Sequence, residues 1–96
     1  VAEARRGLSW REVYGRGGTL IGVARARDIV NRRALSYDTV VRMRSYFARH
    51  EVDKQGEGYR QGEPGYPSAG RIAWALWGGD AGKSWADGIV REHGED

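Results

Sequence analysis

Three of the chain's four tryptophans, Trp74, Trp77 and Trp85, fall within the twenty residues from Tyr66 to Trp85. In a chain of 96 residues so dense a set of large rings must anchor a core, grip a partner, or do both. The residues around the rings set the local structure. Pro67 and Ser68 open a segment with a pre-set φ and a capping hydroxyl, and the pair Gly78-Gly79 closes it. From Ser68 to Trp77, Ile72 and Leu76 lie four apart and Trp74 and Trp77 three apart, as on one face of a helix. A chain this short buries about two-thirds of its unfolded surface. At least two of the three rings are therefore expected in its core.

The rest of the chain reads as further short helices separated by glycines. Ala2 to Tyr14 carries Ala4 and Leu8 inward, with Val13 as a further candidate, and Gly15-Arg16-Gly17-Gly18 stops it. Thr19 caps a second helix, from about Leu20 to Asn31, with Leu20, Val23, Ala24 and Val30 on one face. Gly22 inside it costs about 1 kcal/mol relative to alanine, which predicts close approach of another helix there. Ser36 caps a third helix, Tyr37 to Val52. Its Val40, Met43, Phe47 and His50 recur with helical period. Residues 54–66 hold four glycines and a proline without apolar periodicity, and predict a long loop pinned by Tyr59 and Tyr66. A fifth helix, from Ala81 or Gly82 to His93, has Asp80 at its cap position and Trp85 and Ile89 on one face. The tail Gly94-Glu95-Asp96 is expected to fray. No stretch alternates like a half-buried strand. The expected fold is all-α: one compact bundle of four to five short helices with one long glycine-rich loop.

Charge is divided unevenly. The net charge is +3, but residues 1–50 hold 11 arginines against four carboxylates, and residues 51–96 hold five basic and nine acidic groups. Arginine outnumbers lysine 14 to 2, which fits either a surface for phosphates, carboxylates and aromatic faces or a GC-rich genome. The split between the halves admits a basic face for a polyanion, or halves that attract one another within the fold or head-to-tail between copies. The absence of cysteine excludes disulfides and thiolate metal sites. No apolar run approaches membrane-spanning length, so no membrane association is expected. The chain starts at Val1 rather than methionine, as a processed product or a piece of a longer protein would.

Several chemical motifs fail on register. Gly82-Lys83-Ser84 ends like a phosphate loop, but the pattern needs a glycine where Trp77 stands, and a strand where a helix is expected. The glycines from Gly15 to Gly22 miss the dinucleotide spacing. His50, Glu51 and Asp53 lack the further ligands that a structural zinc wants, although His50 and Asp53 would share a helical face. No serine or threonine stands at a recognisable spacing from a histidine and an acid. No cofactor, metal or small-molecule substrate is evident, and an enzyme is the least expected class. Binding remains, through Arg25, Arg27, Arg42, Arg44, Arg49, Tyr59, Arg71 and Trp77. Helices two and three also match a loose helix-turn-helix in length, with Thr39, Arg42, Arg44, Ser45 and Arg49 toward a groove.

Three stretches carry a resemblance: Gly17-Gly18-Thr19 with Gly22-Val23-Ala24-Arg25-Ala26-Arg27; Ser45-Tyr46-Phe47-Ala48-Arg49-His50-Glu51-Val52-Asp53-Lys54; and Gly65-Tyr66-Pro67-Ser68-Ala69-Gly70-Arg71-Ile72-Ala73-Trp74-Ala75-Leu76-Trp77-Gly78-Gly79-Asp80. Over residues 7 to 87 the chain resembles a small module recurrent in tailed bacteriophages and prophages. That module often occurs in, or fused to, prohead-protease-like and portal-like proteins of the head-assembly region. The resemblance implies a phage context in the host cytoplasm during assembly or in the virion, and a covalent neighbour. It brings no mechanism and no site residues. The resulting expectation is a non-enzymatic binding module for a phage structural protein or a second copy of itself. DNA or RNA held by the arginines of the first half is the alternative.

Overall fold

Residues 1–93 are described by the computed structural model as five α-helices and one 3-10 turn, with no strand among them. The helices are α1 (Ala2–Tyr14), α2 (Leu20–Val30), α3 (Tyr37–His50), α4 (Ala69–Leu76) and α5 (Gly79–His93); the 3-10 turn, Glu51–Gln55, continues α3. Three of the four expected caps form. The side chains of Thr19, Ser36 and Ser68 accept from the backbone N–H groups of Gly22, Thr39 and Arg71, satisfying donors that the first turns leave free. Gly15 ends α1 in the left-handed conformation that glycine enters without steric cost. Gly94-Glu95-Asp96, read as a fraying tail, lies outside the described residues.

The core forms where the tryptophan-rich segment places it. Phe47, Ile72, Trp74 and Leu76 are fully enclosed, each ring or branched chain contributing about 1.5–3 kcal/mol through burial. Trp74 is 1% exposed and Trp77 9%, whereas Trp85 remains 47% exposed. Phe47 meets Trp74 edge-to-face at 4.8 Å, a favourable arrangement of the two ring quadrupoles. Val40 and Met43 of the α3 stripe are buried, and Tyr46 joins them. α1 packs most extensively on α4 through Gly7, where no Cβ separates the two backbones.

Five sequence expectations need correction. Leu20 is 79% exposed, because the inward face of α2 is Gly22, Val23 and Ala26, small enough to lie against Trp77 and Leu76. Ala24 faces outward with it, and Val13 is likewise exposed. The third α-helix stops at His50, and Glu51 to Gln55 tighten into the 3-10 turn. α5 begins at Gly79, since Gly78 and Gly79 adopt positive φ and reverse the chain within two residues. Asp80 therefore lies in the first turn of α5, and its carboxylate accepts from Trp74 Nε1 at 2.9 Å and meets Lys54 Nζ at 3.0 Å. Finally, α2 and α3 do not pack as a helix-turn-helix pair: α2 lies on α1 and α4, and α3 lies mainly on α5.

The glycine-rich segment is held against the body. Arg16 Nη2 donates to the carbonyls of Gly65 and Pro67. Tyr66 meets Trp10 edge-on at 5.7 Å, and Glu63 Oε1 accepts from the N–H groups of Gly58 and Arg60. These bonds satisfy loop backbone groups that no helix can serve.

Candidate cationic groove between α2 and α3

Because α2 and α3 diverge, a groove of about 710 Å³ opens between them, and α4 supplies its floor. The floor is made of Gly18, Ala69, Gly70 and Ala73, with the edges of Trp77 and Tyr46. Small residues dominate because α4 turns Ala69 and Ala73, one turn apart, to the same side. Arg25 of α2 and Arg42 and Arg49 of α3 form the rim, with Ile21, Ser45, His50 and Asp53 between them.

An aromatic stack supports one wall. Tyr46 lies parallel to Trp77, with centroids 4.7 Å apart and planes within 10°, and His50 stacks on Tyr46 at 4.5 Å. The Arg25 guanidinium stands 5.9 Å from the Trp77 centroid, within range of a cation–π attraction. Burial pushes the Tyr46 hydroxyl well above its ordinary range, and the negative charge of Asp53 adds to the shift. The phenol is thus neutral throughout the physiological range.

The charges in the groove are incompletely balanced. Arg25 Nη1 meets Asp28 Oδ2 at 2.8 Å, but its Nε is buried without a hydrogen-bond partner. Arg42 and Arg49 are exposed and make no ion pair among the described residues. The one carboxylate of the groove, Asp53, faces His50 with Oδ2 3.1 Å from Nδ1.

The other residues expected to bind lie elsewhere. Arg27 sits two positions from Arg25, which turns it about 200° around α2; it is exposed on another face. The same rotation carries Arg44 away from Arg42 and toward α5, where its Nε lies 3.6 Å from Asp87 Oδ1. Arg71 is on the opposite side of α4. Its Nη1 lies 3.0 Å from Glu3 Oε1, an ion pair too oblique for a hydrogen bond. Its guanidinium covers Tyr59 at 5.8 Å and Trp10 at 5.0 Å, so Tyr59 and Arg71 join helices to the loop. Of the eight candidates, Arg25, Arg42, Arg49 and Trp77 converge on the groove.

Ile21, Tyr46 and the alanines of α4 are not among the binding residues the sequence singles out, and His50 stands out there only on the α3 stripe and as a candidate metal ligand. The i, i+4 pair Tyr46 and His50 was a visible signal, but only the packed structure places Trp77 beside it. A second cluster is structural. Lys54 Nζ lies 4.6 Å above the Trp74 ring and meets both Asp80 and Glu51 at 3.0 Å. Partial burial opposes the Lys54 charge, but the hydrogen bonds to Asp80 and Glu51 outweigh it and raise the pKa. The hydrogen bond from Lys54 lowers the Asp80 pKa; burial opposes this, and the Trp74 N–H assists it. No helix among the described residues is long and apolar enough to cross a membrane. Comparison with protein families, with curated proteins and with solved structures finds no match to this chain.

Proposed function

We propose that this domain is a non-enzymatic binding module that takes an acidic segment of a partner protein into the groove between α2 and α3. Its place is in or beside the head-assembly apparatus of a tailed bacteriophage, the context that its sequence resemblance implies. One observation carries the binding reading: Arg25, Arg42 and Arg49 converge around a floor of small and apolar side chains with only Asp53 among them. Such a groove offers burial to apolar side chains and charge-assisted hydrogen bonds to carboxylates.

A second copy of the chain is the weaker partner. Glu3, Asp28, Glu51, Asp53, Asp80 and Asp87 are already in ion pairs within the fold. The exposed carboxylates in no ion pair among the described residues, Glu12, Asp38, Glu57, Glu63 and Glu92, stand on four different segments, so no one stretch of another copy offers the groove an acidic run.

Nucleic acid is the second reading, favoured by the same three arginines. Against it, Trp77 and Tyr46 are buried, so neither ring offers an open face for base stacking. The test is fluorescence anisotropy of a labelled Glu- and Leu-rich peptide and of labelled duplex and single-stranded DNA, each at low and moderate salt. Light scattering on the same samples reports self-association. The proposal expects saturable peptide binding that Arg42→Gln with Arg49→Gln abolishes. A site neutralising about three phosphates loses roughly 40-fold in affinity from 50 to 200 mM salt. DNA binding with that dependence, and no peptide binding, would give the groove to nucleic acid.

A further inference from the structure

The groove has the geometry of a missing helix position. In most small bundles, neighbouring helices in the chain pack on one another. Here α2 and α3 lean on different partners and leave a channel whose floor, Gly18, Ala69, Gly70 and Ala73, has almost no side-chain height. Small side chains on a floor permit a helix to approach closely. A flanking apolar contact is ready as well: Ile21 lines the groove while 62% exposed.

Resting on the reading of the groove as a protein-binding site, we infer that its partner segment is an amphipathic acidic helix lying along α3. Its carboxylates, seven residues apart, face Arg42 and Arg49. The register comes from α3 itself. Arg42 and Arg49 are two helical turns apart on one face, about 10.5 Å along the axis. A ligand helix running alongside repeats a carboxylate at i and i+7 with the same rise and the same facing. An extended segment does not: its side chains alternate faces, so same-face carboxylates fall about 7 or 13 Å apart. Between the two arginines stand Ser45, exposed, and Tyr46, buried. Ligand positions i+3 and i+4 thus meet a shallow, partly apolar surface and are best filled by leucine or a residue of similar shape. Arg25, held by Asp28 and beside the Trp77 ring, closes the groove from the α2 side and adds positive charge there. This is the helix-in-groove mode of recognition, with charge fixing the register and apolar anchors supplying burial.

Two labelled peptides of identical composition and comparable helicity test the register. One carries glutamates at i and i+7 flanking a leucine pair; the other moves the second glutamate to i+5, about 140° around the helix. Both are titrated by anisotropy into the full chain and into Arg42→Gln/Arg49→Gln, whose substituted side chains are exposed, with circular dichroism confirming that the variant remains folded. The expected result is at least tenfold tighter binding of the i, i+7 peptide, with the preference lost in the double variant. Equal binding of both peptides, lost in the double variant, would leave the acidic protein site standing and overturn the helical register. Absence of binding by either peptide, with DNA bound instead, would overturn the protein reading along with it.

Discussion

Gly7 and Gly88 occupy helix interiors, and alanine at the two positions should act in opposite directions. In an exposed helix, replacing glycine by alanine gains about 1 kcal/mol, because the unfolded chain loses conformational freedom. Gly88 in α5 shows this effect alone: a Cβ there meets nothing nearer than Arg91 Nη2 at 3.9 Å. At Gly7 the same methyl lies 2.7 Å from Leu76 N and 3.0 Å from the Ala75 carbonyl carbon. These are backbone atoms of α4 and cannot rotate aside, so α1 and α4 must separate. Forcing a methyl into such a contact costs about 3 kcal/mol, the upper part of the usual range for overpacking. After the propensity gain, Gly7→Ala should lose about 2 kcal/mol and Gly88→Ala gain up to about 1 kcal/mol. At about 4–8 °C per kcal/mol for a domain of this size, the two melting temperatures should lie more than 10 °C apart, on either side of wild type. Thermal and urea unfolding followed by circular dichroism measure this directly. A Gly7→Ala protein as stable as wild type would refute the close α1–α4 crossing and the reasoning built on it.

Other expected outcomes concern the core, the charge network and the groove. Trp74→Ala should cost about 3–5 kcal/mol in denaturant unfolding, since the ring is enclosed and its N–H is bonded to Asp80; a stable variant with altered partner binding would remove Trp74 from the core. The Asp80 carboxyl has a lowered pKa in the fold. Its contribution is complete above the ordinary carboxylate range and fades as pH falls through the lower folded value. Asp80→Asn should flatten that part of the stability–pH curve, by little because the carboxylate is largely solvated; an unchanged curve would count against the Lys54–Asp80 contact. Arg42→Gln/Arg49→Gln should change stability by less than about 0.5 kcal/mol while abolishing acidic-peptide binding, so a large loss of stability would assign those arginines to the fold.

Much of the fold was legible because its signals are local. The hydroxyls at 19, 36 and 68 and the glycines at 15 and 78 set helix ends by short-range hydrogen bonds and permitted dihedrals. Gly22 signalled its contact, because a glycine inside a helix implies a near neighbour; Trp77 Nε1 stands 3.2 Å from where its Cβ would be. The facing of α2 was harder to read. Leu20 is apolar and in phase with Val23, yet the face that packs is selected by small size, and only the partner helix reveals that. The same limit applied to the site. The sequence shows which arginines are abundant, but a grouping of Arg42 with Arg44 ignores the 200° between them. No local pattern reports that α2 and α3 part around α4.

The crossing of α1 and α4 also bears on how the chain comes to be folded. α1 finds its main neighbour in α4, more than sixty residues later in the chain. Closing so long a loop is paid for in entropy before any contact returns it. During synthesis, α1 and α2 therefore emerge with only each other to pack on, α3 emerges before its main partner α5, and the Gly7 notch stays empty until Ala75 and Leu76 have left the ribosome. A chain halted before residue 69 has none of the enclosed Ile72, Trp74 and Leu76 and no floor between α2 and α3. Whole and cut chains thus present very different surfaces to chaperones and proteases, and the groove exists only on a molecule whose second half has been completed.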